Sequence, residues 1–265
     1  MADVLTIERR GAIEIATLNR PEALNALNPA LTAELRDYFR GLADRRDVRV
    51  VILRGAGRAF CAGLDIKASG ARATDETPVL RSLRTQTDIG DIYRAMRACP
   101  QPIIALAQGA ACGGGLSLLL ASDVRIVAPT LKANAAYIKI GLGGADMASS
   151  YFLPRLVGAS FAAEMLLTGR FFDAARAKES GLASRIVEEA DLLDAGLELA
   201  GEMLLTAPWG LRLTKQALNL ALDAPSLEAA MALEDRQQIL LTATEDHREA
   251  MAAFLEKRTP AYRER

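Results

Sequence analysis

The sequence predicts an α/β fold with a strand-rich N-terminal core and a helical C-terminal region. Three observations carry this. β-branched apolar runs at Val48 to Leu53, Ile103 to Ala107 and Val124 to Val127 alternate with helical stretches, the pattern of strands joined by crossover connections. Two of these runs lead into glycine-rich segments. They are Gly55-Ala56-Gly57-Arg58-Ala59-Phe60-Cys61-Ala62-Gly63-Leu64-Asp65-Ile66 and Gly109-Ala110-Ala111-Cys112-Gly113-Gly114-Gly115-Leu116-Ser117. From about residue 148 onward the chain reads as helix, apart from a short extended piece at Ala183 to Val187.

Each element has a local reason. Residues 4–9 and 13–18 read as a strand pair around Gly11. Asn28-Pro29 is a cap followed by a first-turn proline, and the helix after it sets Leu31, Leu35, Tyr38, Phe39 and Leu42 on one face. Residues 48–54 form a buried strand. Residues 68–78 are small, polar and glycine-containing, the best candidate for a mobile lid loop. A helix covers about 79–98, a strand 102–108, and a helix about 114–121. The chain divides into a core over 1–200 and a helical region over 201–265.

Composition excludes several classes. Lys plus Arg number 32 against 33 for Asp plus Glu, and the charges are mixed along the chain. Neither nucleic acid nor an anionic membrane has an electrostatic footprint here. Cys61, Cys99 and Cys112 show no metal-ligand spacing and make a poor disulfide set, which fits a reducing cytoplasm. His247 is the only histidine, so no metal site is expected. No apolar run approaches a membrane span. Gly55-Ala56-Gly57 opens like a dinucleotide fingerprint, but Phe60 stands where the third glycine belongs.

A strand that ends in glycines presents bare backbone N–H groups. Two such groups converging on one point form an oxyanion hole. The paired segments therefore suggest chemistry on a carbonyl, and a thioester passing through an enolate fits best.

These segments also carry a resemblance. Phe60-Cys61-Ala62-Gly63-Leu64-Asp65 resembles the F-x-A-G-x-D element of the crotonase superfamily, the enoyl-CoA hydratases and isomerases, and Gly113-Gly114-Gly115 resembles its second element. Leu18-Asn19-Arg20-Pro21-Glu22-Ala23-Leu24-Asn25-Ala26-Leu27 is similar to the N-terminal coenzyme A signature. Leu166 to Arg170 and Ala253 to Arg258 match two later stretches. The resemblance spans nearly the whole chain. It implies a crotonase-like (ClpP/crotonase) spiral ββα core, a homotrimer or dimer of trimers, and an acyl-CoA thioester substrate whose coenzyme A is part of the substrate, with no separate cofactor. By the same resemblance, Leu64 and Gly114 supply the two N–H donors. Glu22, Ala23 and Asn25 lie on the adenine side, and Ala62, Gly63, Asp65 and Ile66 line the coenzyme A cleft. Phe254 and Lys257 reach a neighbouring subunit's coenzyme A.

The acid–base positions depart from the pattern. Family hydratases carry one glutamate two residues after the GGG and another twenty residues later; here those positions are Ser117 and Tyr137. Neither is a carboxylate, and a tyrosine with an ordinary pKa near ~10 keeps its proton at neutral pH. Asp146, in Gly141-Leu142-Gly143-Gly144-Ala145-Asp146-Met147, falls where dienoyl-CoA isomerases of the family carry an aspartate, although a helix cap is its bland alternative. Ser117 is no hydrolase nucleophile, because Gly115-Leu116-Ser117-Leu118-Leu119 lacks the second glycine of a nucleophile elbow. The resemblance thus implies hydration of a 2-enoyl-CoA as the nominal activity, in the setting of fatty acid metabolism. Isomerisation with Asp146 as base is the alternative. A coenzyme A thioester-binding protein with little catalysis is the rival from another class.

Overall fold

The computed structural model describes residues 3–68 and 77–264. The loop expected at 68–78 therefore lies largely outside the described residues.

Strands β1 (Leu5–Arg10) and β2 (Ile13–Leu18) form the expected antiparallel pair, with Leu5 opposite Leu18. β2 then pairs in parallel with β3 (Val50–Gly55), β3 with β4 (Ile103–Ala107), β4 with β6 (Val124–Val127), and β6 with β9 (Arg185–Ile186). A second, three-stranded sheet holds β5 (Ala110–Cys112), β7 (Lys132–Asn134) and β8 (Phe172–Asp173) in that order. β4 and β5 are neighbours in sequence but belong to different sheets, as are β6 and β7. From β4 to β7, strands consecutive in the chain thus alternate between two sheets within an α/β fold, the class that the sequence predicts.

The middle strands are buried on both faces, as parallel strands beneath helices must be. On β3, Val51 and Leu53 join one apolar cluster with Leu31, Leu35 and Phe39 of α1 (Pro29–Gly41) and Ile92 and Met96 of α2 (Pro78–Ala98). Val50 and Ile52 face the other way and meet Leu192 and Ala200 of α7 (Leu192–Leu204). The local signals act as expected. Asn28 caps α1 by accepting from Leu31 N at 2.9 Å, and Thr77 accepts from Leu80 N at the start of α2.

α3 (Gly114–Ala121), α4 (Ser149–Val157), α5 (Ala159–Thr168) and α6 (Ala174–Glu179) lead to α7, and α8 (Pro208–Ala221), α9 (Leu227–Thr242) and α10 (Glu245–Glu256) follow it. The boundary expected at 200/201 falls within α7, which lies on β3, β4 and β6 and belongs to the core. Lys215 of α8 docks the later helices, donating to Gln101 O at 2.8 Å and pairing with Asp123 at 2.9 Å. Among the described residues, no helix is long and apolar enough to cross a membrane.

Candidate active site

The two glycine-rich segments run side by side. Phe60 N and Cys61 N donate to Gln108 O and Ala110 O at 2.8 and 2.9 Å, and Cys112 N donates back to Cys61 O at 3.0 Å. Leu27 N donates to Gly63 O at 2.7 Å, while Leu27 O accepts from Asp65 N at 3.0 Å. Leu27 and Leu64 are thus bridged in parallel, and the N–H of the bracketed Leu64 points away from Leu27. Gly114 opens α3, where a helix leaves its first N–H groups without internal partners. A methyl group added to Gly63 would lie 3.6 Å from Gly114 N, so the two segments meet at these amides. Among the described residues, neither Leu64 N nor Gly114 N donates a backbone hydrogen bond.

Asp146 belongs to the same neighbourhood. A methyl group on Gly114 would lie 2.8 Å from Leu27 Cδ1 and 3.1 Å from both Met147 Sδ and Tyr93 Oη. Tyr93 donates to Gly114 O at 3.0 Å and touches Met147 Sδ at 3.2 Å. Asp146 Oδ1 accepts from Met147 N at 2.7 Å and from Gln86 Nε2. Asp146 Oδ2 has no hydrogen-bond partner among the described residues. The helix-cap alternative fails, because the N-cap of α4 is Ala148 and no side chain caps it. Met147 and Ala148 both adopt left-handed backbone, φ 48° and 62°. Consecutive non-glycine residues there store strain, which concentrates at sites that packing holds in place. A cleft of about 510 Å³ between α2 and the start of α4 opens beside this turn, lined in part by Leu83, Gln86, Tyr93, Arg97, Met147 and Tyr151. That volume suits an organic ligand.

Ser117 and Tyr137 are also brought together, and the Tyr137 hydroxyl feels both Asp146 and Ser149. Both are buried, at 0% and 4% exposure. Ser117 Oγ lies 2.7 Å from Tyr137 Oη, and Tyr137 Oη donates to Gly113 O at 2.9 Å. Burial pushes the Tyr137 hydroxyl up to about 12, so it keeps its proton at any physiological pH. The residues at the two usual glutamate positions are thus hydrogen-bonded to each other and to the glycine loop. The only phenolic proton is committed to a backbone carbonyl. The thiols of Cys61 and Cys112 are raised by burial to about 12 and about 11, which removes them as nucleophiles.

The residues expected to bind coenzyme A separate into groups. Glu22 and Ile66 are exposed, and Ala23 and Ala62 are half-buried near them. Gly63 is buried beside Gly114. Asn25 is fully buried. Its amide nitrogen donates to Ala56 O and Ala59 O at 2.8 Å each, and its oxygen accepts from Arg20 N at 2.9 Å. With its side chain spent on the loop after β3, it positions that loop and offers no amide to a ligand. Asp65 pairs with Arg20 at 2.9 Å and accepts from Ala68 N at 3.0 Å. The Arg20 guanidinium holds this carboxyl below the usual range. Phe254 and Lys257 stand apart. α10 packs chiefly on α9, and Phe254 is 80% exposed. Sequence reasoning passed over Tyr93 and Gln86, which sit in an unremarked stretch of α2, and Arg20, whose place inside the coenzyme A signature was its only signal.

Two converging amides, a carboxylate with a free oxygen and an adjoining cleft are the parts of an enzyme that stabilises charge on a carbonyl oxygen and moves a proton. Comparison with known proteins gives the family. Residues 8–265 match the model of the Enoyl-CoA hydratase/isomerase family. The chain is 39% identical over 264 residues to the probable enoyl-CoA hydratase EchA12 of Mycobacterium tuberculosis (strain ATCC 25618 / H37Rv), covering 98% of this chain and 92% of that one. It is 32% identical to the 1,2-epoxyphenylacetyl-CoA isomerase of Escherichia coli (strain K12), covering 99% and 98%. A crystal structure of enoyl-CoA hydratase from Bacillus anthracis superposes with a TM-score of 0.93 at 30% identity, covering 99% of this chain and 100% of that chain. The chain belongs to the enoyl-CoA hydratase/isomerase family. It is an acyl-CoA enzyme of hydratase/isomerase type, which sets aside the reading as a binding protein with little catalysis.

Proposed function

We propose that the chain moves a double bond within an enoyl-CoA thioester, with Leu64 N and Gly114 N as the oxyanion hole and Asp146 as the base. The observation that carries this is the Asp146 turn. Met147 packs on Gly114 and Asp146 Oδ1 is fixed by Met147 N, while both usual glutamate positions lack a carboxylate. One carboxylate suffices to take a proton from one carbon and return it to another. Two-carboxylate addition of water does not fit. The thioester oxygen would receive both amides as the enolate forms, and one such donor is worth about 3–4 kcal/mol. The acyl group would occupy the cleft between α2 and α4. Glu22, Ala23, Ala62 and Ile66 would contact coenzyme A through accessible surface. No cofactor beyond the substrate's own coenzyme A is needed.

The further expectations stay with this reading. A homotrimer or dimer of trimers would cover the exposed apolar side chains of α8 to α10, among them Leu218, Leu227, Ile239 and Leu240, and would bring Phe254 and Lys257 to a neighbour's substrate. A cytoplasmic place in fatty acid metabolism is consistent with three free cysteines. Hydration remains the second reading because relatives carry the name, as does the (E)-benzylidenesuccinyl-CoA hydratase of Thauera aromatica, 35% identical over 264 residues. Product analysis by NMR with 2-enoyl-CoA and 3-enoyl-CoA substrates separates the two. Double-bond migration without added water supports isomerisation. Formation of a 3-hydroxyacyl-CoA without migration overturns it.

A further inference from the structure

The residues that replace the family glutamates are joined to the proposed oxyanion hole through a single peptide bond. Gly113 O and Gly114 N–H belong to the same planar unit, and in a trans peptide they point in opposite directions. Gly113 has φ +50° and ψ −116°, a conformation that glycine enters without steric cost. On the carbonyl side, Gly113 O accepts from Tyr137 Oη at 2.9 Å and from Ser117 N at 3.0 Å. On the other side, Gly114 N–H has no backbone acceptor among the described residues.

The proton order along this chain follows from donor counting. A carbonyl only accepts, so the single phenolic hydrogen goes to Gly113 O. The Ser117 hydroxyl then donates to Tyr137 Oη across their 2.7 Å contact. The result is a directed chain from Ser117 to Tyr137 to the Gly113 carbonyl. Each bond in such a chain polarises the next. Hydrogen bonds onto a peptide oxygen draw electron density from nitrogen and make the N–H a stronger donor.

We infer that Ser117 and Tyr137 are positioning residues that orient and polarise the Gly113–Gly114 peptide, so that Gly114 N–H binds the developing enolate oxygen more strongly than an unsupported amide would. This rests on the reading of Gly114 as an oxyanion donor. It gives the two replaced positions a shared role: instead of acting on water, they act on the hole. The ring of Tyr137 also packs against Gly113, where an added methyl group would lie 3.5 Å from Cε1. Removing the hydroxyl alone therefore leaves the packing in place.

The test is the carbonyl stretch of a bound acyl-CoA labelled with ¹³C at the thioester, measured by isotope-edited infrared spectroscopy. In the unmodified enzyme the band should lie below that of the free thioester in water. In Tyr137→Phe part of that displacement should be lost. kcat should fall about two- to eightfold, from a cooperative strengthening of roughly 10–30% on one oxyanion donor, with KM unchanged. Fluorotyrosine at position 137, a more acidic donor of nearly the same shape, should enlarge the displacement, and it serves if the Phe variant does not fold. Tyr38→Phe, which removes a hydroxyl bound to Glu14, should leave the band unmoved. A displaced band that ignores both changes at 137 overturns this inference while leaving the hole intact. A bound carbonyl with no displacement in the unmodified enzyme removes the hole itself, and this inference with it.

Discussion

Asp146 Oδ1 sits 2.7 Å from the Met147 amide, and the Met147 sulfur lies 3.1 Å from where a methyl group on Gly114 would sit. One residue therefore couples the carboxylate to the glycine that opens α3. The left-handed backbone of Met147 and Ala148 makes this turn costly to form. Packing of Met147 between Tyr93 and Gly114 holds it.

Gly114→Pro removes one of the two proposed donors. Proline is accepted at the first position of a helix, and the nearest obstacle, Leu27 Cδ1 at 2.8 Å from an added methyl group, is the end of a side chain. The variant should fold, as circular dichroism would verify, and lose at least about a hundredfold in kcat. Near-normal turnover in a folded variant would remove Gly114 from the hole.

Asp65→Asn should destabilise the chain by about 1–3 kcal/mol, since a charge-assisted bond to Arg20 and one to Ala68 N are both weakened. The native carboxyl is held low, first by the Arg20 bond. Its contribution is therefore present above the ordinary carboxylate range, near ~3.9, and fades as pH falls through the depressed native value. Melting temperatures of the parent and the variant should differ at neutral pH and draw together in acid.

The tyrosines should resist titration. Burial raises Tyr38, Tyr93 and Tyr137, the last to about 12. The unfolded chain releases these protons near ~10, before the folded chain does, so stability should fall as pH rises from about 10 through about 12. Ultraviolet difference absorbance should show tyrosinate appearing together with unfolding. Reversible ionisation of all five tyrosines in the folded state would contradict the burial.

Much of this was legible in the chain. The Asn28-Pro29 cap, the β-branched runs and the alternation of helix and strand all carry local signals, and each element they mark is present. β5, β7 and β8 escaped because they are two or three residues long and lack the run of apolar and β-branched residues that marked the stretch around β9. The approach of the two glycine segments was readable from their pairing, whereas the choice of Leu64 and Gly114 within them came only from the resemblance. The roles of Tyr93 and Gln86 were not readable, because tertiary packing of α2 assigns them and no spacing records it. Asn25 has a positioning role that the sequence did not disclose, for a related reason. An amide inside a binding signature reads as a ligand contact until burial reveals three hydrogen bonds to backbone.

The most direct test is proton exchange at the carbon being deprotonated. An enoyl-CoA incubated in D₂O and followed by ¹H NMR reports removal and return of a proton at carbon, the step that double-bond migration requires. The unmodified enzyme should wash deuterium into the position next to the conjugated system. Asp146→Asn should slow this by about 10²–10⁴-fold, the range of general acid–base catalysis, with coenzyme A affinity retained. Exchange at the unmodified rate in Asp146→Asn would contradict the assignment of Asp146 as the base.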